Sequence, residues 1–325
     1  MKIQINMTDA FCDMDRFETK ADVLDLIRGF DGIELMVYET EIHEKIPSDR
    51  VVGLHTRSYN YWYDFWKGDR ARCIAELGDE KAVGLYYGGD TPEVILEHYR
   101  EDIRMAALYG AQYMVFHVSD CTMEEAMRGV YVHSDAEIID AFCDIINRLF
   151  PENWDGPEIL LENLWEPGLT FLDPEMTRRL LSGIHCRKKG IMLDTGHLMN
   201  TNTALRTPEE ATDYIISILE RNGELCRWIR GVHLNLSLSG EFVESVRENL
   251  PDLSGDYSER YTKMFEYVFK ADQHRPYLCS RVEELIERIN PEYLTLEFIT
   301  NDLPEHQSFL RQQIAVLPGL FSERL

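Results

Sequence analysis

Residues 190–197 read GIMLDTGH: an apolar run closed by Asp194, then a turn made tight by Gly196, then an imidazole at His197. An apolar run that is continuous rather than alternating fits a parallel strand covered on both faces. The same kind of run recurs as KIQINM (2–7), GIELMVY (32–38), VVGLH (51–55), QYMVFH (112–117), EILLE (158–162), IRGVHL (229–234) and YLTLE (293–297). Amphipathic spacing predicts helices over 19–29, 91–109, 135–149, 174–183, 208–222, 257–270, 280–289 and 305–316. Thr91-Pro92, Asp173-Pro174 and Thr207-Pro208 each set a capping residue before a proline at the first helical position. Eight strands alternating with helices predict a (β/α)8 barrel forming one domain over residues 1–325, with a doubly wound sheet as the competing arrangement. Segments 56–90 and 235–279 are too long for simple loops, and in a barrel both insertions follow strands onto the C-terminal face, where chemistry sits.

Composition narrows the function classes. Across 325 residues, 44% are hydrophobic and 11% aromatic, enough for a large core and inconsistent with a disordered chain. Lys and Arg number 33 against 58 Asp and Glu, a net charge of −25 that repels nucleic acid and anionic membranes at long range. The seven cysteines are odd in number, scattered and without a CxxC pair, so reduced thiols and a cytoplasmic location are expected. The N-terminal MKIQINMTDAF lacks a signal peptide's apolar region, and no apolar run approaches the roughly 18 residues of a membrane span.

The strand ends carry the chemistry. His55, His117, Glu162 and Asp194 close the third to sixth strands, the seventh runs into His233, and the eighth ends at Glu297. Any one of them has an ordinary reading, as a helix cap or a hydrogen-bonded core imidazole. Together on one rim, the carboxylates would repel one another unless cations were bound between them. His197 adds a second imidazole beyond the sixth strand. Asp272-Gln273-His274 is a D-x-H pair that an extended segment would point one way, although a helix end followed by a solvated turn explains it equally well. Histidine and carboxylate ligation without thiolate suits Zn²⁺, Mn²⁺, Fe²⁺ or Co²⁺, and these residues exceed the needs of one ion, so two or three divalent ions are expected. His43, His98, His133, His185 and His306 fall in loops or helices outside this set.

These motifs resemble the xylose-isomerase-like TIM-barrel superfamily, most closely its endonuclease IV branch (AP endonuclease family 2). The resemblance runs through Phe116-His117, Leu161-Glu162-Asn163, Leu193 to His197, Arg230 to Asn235, Asp272-Gln273-His274 and Leu296-Glu297. It implies three ions on His55, His117, Glu162, Asp194, His197, His233, Asp272, His274 and Glu297, with Glu162 bridging two of them. His55 and His117 would hold one ion, Asp194, His233 and Glu297 another, and His197, Asp272 and His274 the third. For the superfamily's sugar isomerases and epimerases it implies instead one ion on Glu162, Asp194, His233 and Glu297, with Glu162 and Glu297 as the catalytic pair exchanging protons.

The departures concern substrate. The endonuclease pattern continues Leu-Asn-Asp after the seventh-strand histidine, where this chain has Leu234-Asn235-Leu236-Ser237-Leu238. Arg275-Pro276-Tyr277-Leu278-Cys279 replaces the glycine-rich stretch after the D-x-H pair, and the loops after the first two strands show no match. Duplex DNA is therefore an unexpected partner. The expected activity is metal-dependent hydrolysis of a phosphoester in a small sugar-type or nucleotide-like molecule. A sugar isomerase, an AP endonuclease and a non-catalytic metal- or sugar-binding barrel are the alternatives. In the aromatic stretch 59–67, Tyr59 and Trp62 would stack on the substrate and Arg57 would meet its phosphate, or the stretch would be a helix burying Trp62 and Trp66.

Overall fold

The computed structural model describes residues 1–322 and 324. Eight parallel strands close into a barrel in chain order. They are β1 (Lys2–Thr8), β2 (Gly32–Met36), β3 (Val51–His55), β4 (Tyr113–His117), β5 (Glu158–Glu162), β6 (Lys189–Asp194), β7 (Ile229–Leu234) and β8 (Tyr293–Leu296). Because β1 pairs with both β2 and β8, the doubly wound alternative is excluded. The register sets Cα of His117 beside Glu162 and Cα of Asp194 beside His233, so these side chains leave the barrel at one level.

Helices such as Glu93–Tyr109, Asp135–Leu149 and Pro208–Asn222 cover the barrel, and their buried faces join the strands in one large apolar core. A separate cluster of strand residues alone, Val52, Tyr113, Val115, Leu160, Met192 and Tyr293, fills the interior. Gly53 makes room there, since a Cβ would lie 2.1 Å from the Tyr113 ring. The Tyr113 hydroxyl donates to Glu34, which with Gln4 and Thr295 forms a buried polar layer beneath the C-terminal rim.

Both insertions are helical. After β3 come Tyr63–Lys67, Arg70–Leu77 and Glu80–Tyr87, the last two capped by Asp69 and Asp79. The aromatic stretch is core packing, which corrects the expectation that Trp62 stacks on substrate. Trp62 is buried, its indole N–H donates to the Ser119 carbonyl at 2.7 Å, and its ring meets Phe142 edge-on. Buried Asp120 accepts from the backbone N–H groups of Trp62 and Tyr63. Tyr59 donates to the Tyr87 carbonyl at 3.1 Å and also contacts His98. Trp66 is half-buried beneath the Arg148 guanidinium.

After β7 lie Gly240–Glu248 and Tyr257–Ala271, the second ending on Asp272. The segment after β6 is a second correction: it is a short helix, Thr195–Asn200, with Asp194 as its cap, rather than a bare turn. No helix among the described residues is long and apolar enough to cross a membrane. All seven cysteines are free thiols.

Candidate metal centre

The side chains at the strand ends converge. Fully buried Glu162 is the hub: its Oε2 lies 3.1 Å from His55 Nε2 and 3.2 Å from His117 Nε2. Its Oε1 lies 3.0 Å from His233 Nδ1 and 3.4 Å from His197 Nδ1. Burial works to raise the Glu162 pKa, but His233 and His117 overcome it and hold the carboxyl well below its ordinary range. Glu297 sits 3.4 Å from both His233 Nδ1 and His274 Nδ1, and burial pushes its carboxyl up to about 7.

The D-x-H pair belongs to the same cluster. Asp272 Oδ2 lies 2.6 Å from His274 Nε2 and 3.2 Å from His197 Nε2. His274 takes a left-handed backbone, φ 43°, uncommon outside glycine, and both Asp272 and His274 are buried. The solvated-turn reading therefore fails for this pair. Asp194 fills both of its sequence readings: Oδ1 accepts from the His197 backbone N–H at 2.6 Å, and Oδ2 accepts from Asn235 at 2.8 Å while facing His233 at 3.9 Å.

Among the described residues, four groups have ligand atoms within 4.8 Å of one another: His55–His117–Glu162, His55–His233–Glu297, Asp194–His197–His274, and Glu162–Asp194–His233–Glu297. Donor chemistry and orientation both fit divalent cations. His55 Nδ1 is 2.9 Å from the Thr56 carbonyl and His197 Nδ1 is 2.9 Å from the Asn163 carbonyl. In each of these histidines Nδ1 is placed to donate to backbone, so that a cation displacing the Nε2 proton would meet a lone pair on the carboxylate side, as in metal-ligating histidines. His117 follows suit, with Nδ1 at 3.0 Å from Ser58 Oγ. The His117 side chain is 22% exposed while the Glu162 side chain is 1% exposed, so solvent reaches the centre from the His117 side.

Three participants escaped the sequence reading. Glu34, in the middle of β2, places Oε1 2.8 Å from His233 Nε2, although the ring N–H points off that line. Glu166, in the loop after β5, is buried, and its carboxyl is pushed up to about 8 by that burial. Ser237 lies against the D-x-H segment. Of the residues proposed to bind substrate, Arg57 is committed elsewhere: its Nε and Nη2 reach Oδ1 of buried Asp102 at 3.2 and 3.0 Å.

A family described as "Xylose isomerase-like TIM barrel" matches residues 27–277 of the chain. Among solved structures, a putative xylose isomerase from Rhodospirillum rubrum superposes with a TM-score of 0.54 at 13% identity, over 99% of each chain. The 3-keto-D-glucoside 4-epimerase YcjR from E. coli gives 0.49 at 13% identity over 99% of each chain. A D-psicose 3-epimerase gives 0.48 at 12%, also over 99% of each. At these identities the overlap with the R. rubrum protein shows a shared fold. No curated protein sequence matches the chain.

Proposed function

Because the chain belongs to the xylose isomerase-like TIM-barrel family, we propose that it is a divalent-metal-dependent enzyme that isomerises or epimerises a small sugar-type molecule. The observation that carries this is the four-residue group Glu162, Asp194, His233 and Glu297, a complete donor set for one ion at the barrel mouth. A cation bound there would polarise a substrate carbonyl or hydroxyl and neutralise the carboxylates. Glu162 and Glu297 both approach His233 Nδ1, at 3.0 and 3.4 Å, so they flank one locus from two strands. In this role one carboxylate takes a proton from the carbon bearing a hydroxyl, and the other delivers a proton. Of the two, Glu297 is the better base, since Glu162 is held by four imidazoles.

The site's charge supports a neutral rather than a phosphorylated substrate. Arg57, the cation nominated for a phosphate, is tied to Asp102, and Lys67 lies over the Tyr63 ring. The net charge of −25 repels anions further. Duplex DNA is an unsuitable partner for the same reasons.

Hydrolysis by a multinuclear centre is the second reading. It is favoured by the Asp194–His197–His274 group, which shares Asp194 with the four-residue set and whose two histidines have no role in a one-ion isomerase. One experiment separates the readings: incubate metal-loaded protein in D₂O with a panel of aldoses, ketoses and sugar phosphates. Deuterium entering a substrate C–H position supports isomerisation. Phosphate release without exchange would replace it with hydrolysis, and stoichiometric binding without either would leave a non-catalytic barrel.

A further inference from the structure

The loop after β7 departs from the endonuclease pattern at Leu236-Ser237, and the geometry there gives Ser237 a specific task. Ser237 is 2% exposed and lies far in sequence from the D-x-H segment it touches. Its Oγ accepts from the backbone N–H of Gln273 at 2.8 Å and of His274 at 3.4 Å, and donates to Asp272 Oδ1 at 3.2 Å. A serine hydroxyl has one proton and two lone pairs, so these three contacts exhaust it. Asn200 Nδ2 supplies a second donor to the same Oδ1, at 3.3 Å. With Oδ1 occupied from behind, Oδ2 is the oxygen left to face His197 and His274. The contacts to Gln273 and His274 also hold the backbone where His274 adopts its left-handed φ of 43°. Reciprocal bonds between Leu236 and Arg275, at 2.8 and 3.1 Å, bracket the arrangement.

We infer that Ser237 is a positioning residue that presents Asp272 and His274 to a divalent cation, completing an ion site beside the four-residue group. The inference rests on reading this centre as metal-binding. To the ion that the resemblance already implies on Asp272 and His274, it adds that a hydroxyl donated from the β7 loop sets that ion's affinity.

The test is Ser237→Ala in the full-length protein, with Mn²⁺ and Co²⁺ binding followed by calorimetry and bound metal counted by mass spectrometry. Loss of an outer partner of a ligand weakens binding by roughly 10- to 100-fold. Wild type should hold at least two ions. Ser237→Ala should lose one at that magnitude and retain the rest. In a His274→Ala background, Ser237→Ala should cause no further loss, because both changes act on one site. Equal weakening of every ion, or unchanged metal binding with a lower melting temperature, would make Ser237 merely structural and overturn the inference. Should Ser237→Ala fail to fold, Asn200→Ala removes the other donor to Asp272 Oδ1 and must show the same selective loss. A wild type holding a single ion would sink this inference and leave the isomerase reading intact. A wild type holding none would sink both.

Discussion

Chelated protein should lose stability as the pH rises from 6.5 to 9, and metal-loaded protein should resist that loss. Burial opposes a charged His274, but Asp272 at 2.6 Å and Glu297 at 3.4 Å more than compensate, and its pKa is pushed up to about 9. A histidine with a folded pKa above its unfolded value contributes stability that is fully present below the unfolded pKa. That contribution disappears as the pH passes through the folded pKa. From the ordinary 6.5 to about 9, at roughly 1.4 kcal/mol per pKa unit, the stake is about 3 kcal/mol. His197 and His233, both held well above the ordinary range against their burial by neighbouring carboxylates, carry the same sign. Glu166 adds to it, because ionising a carboxyl whose pKa burial has raised to about 8 costs more in the fold than in the unfolded chain. At an unfolding entropy of about 2.1 cal/mol/K per residue, 3 kcal/mol corresponds to about 4–5 °C in this 325-residue chain. Ion binding requires neutral imidazoles and therefore strengthens over the same window. Calorimetric melts at pH 6.5, 7.5, 8.5 and 9, with EDTA or with saturating Mn²⁺, should show a gap between the two series that widens with pH. A flat or rising melting temperature in EDTA would refute the argument that carboxylates hold these imidazoles protonated in the metal-free fold.

Glu162→Gln keeps the hub's shape but removes the charge shared by four imidazoles; it should release at least one ion and destabilise chelated protein at pH 6.5 by about 3–5 kcal/mol in urea. Full metal content would remove Glu162 from the centre. Gly196→Ala would set a Cβ 1.9 Å from Asn235 Oδ1 and 3.0 Å from Ser237 Oγ, so it should cost about 1–3 kcal/mol and lower metal occupancy; unchanged melting and occupancy would mean that the β7 loop yields freely. Trp62→Ala should lower stability by about 3–5 kcal/mol as a core truncation, whereas a changed KM with an unchanged melting temperature would restore the reading in which Trp62 stacks on the substrate. An abasic-site duplex at low salt should be neither bound nor incised, and efficient cleavage at nanomolar enzyme would promote the nuclease alternative.

The barrel was legible because its strands are continuous apolar runs with an abrupt polar end. Glu158–Glu162 and Ile229–Leu234 match the sequence reading residue for residue, and helices 135–149, 174–183 and 208–222 match as well. Those same polar ends marked the side chains that the structure brings together, since a carboxylate or imidazole that closes a buried strand has no solvent to point into except the barrel mouth. What escaped was whatever lacks that signature. Glu34 sits inside GIELMVY, and a run buried on both faces does not reveal which side chain enters the barrel. Ser237 looked like a departure from a motif, because its partners Asp272, Gln273 and His274 are distant in sequence. Trp62 misled because an aromatic cluster reads alike as a stacking platform and as a core, and only the positions of Ser119 and Asp120 decide between them.

The bridge between Leu236 and Arg275 has an evolutionary corollary. It pinches together the two ends of a long excursion carrying the helices Gly240–Glu248 and Tyr257–Ala271, so whatever lies between is a handle attached at a closed ring. Lengthening, shortening or rewriting the middle of that handle need not move Asp272 or His274, whose coordinates are set at the pinch. A lineage can in this way exchange one substrate for another by drifting through the excursion while its cluster of histidines and carboxylates stays fixed. Transplanting a relative's excursion between residues 238 and 268 is then an accessible route to new specificity.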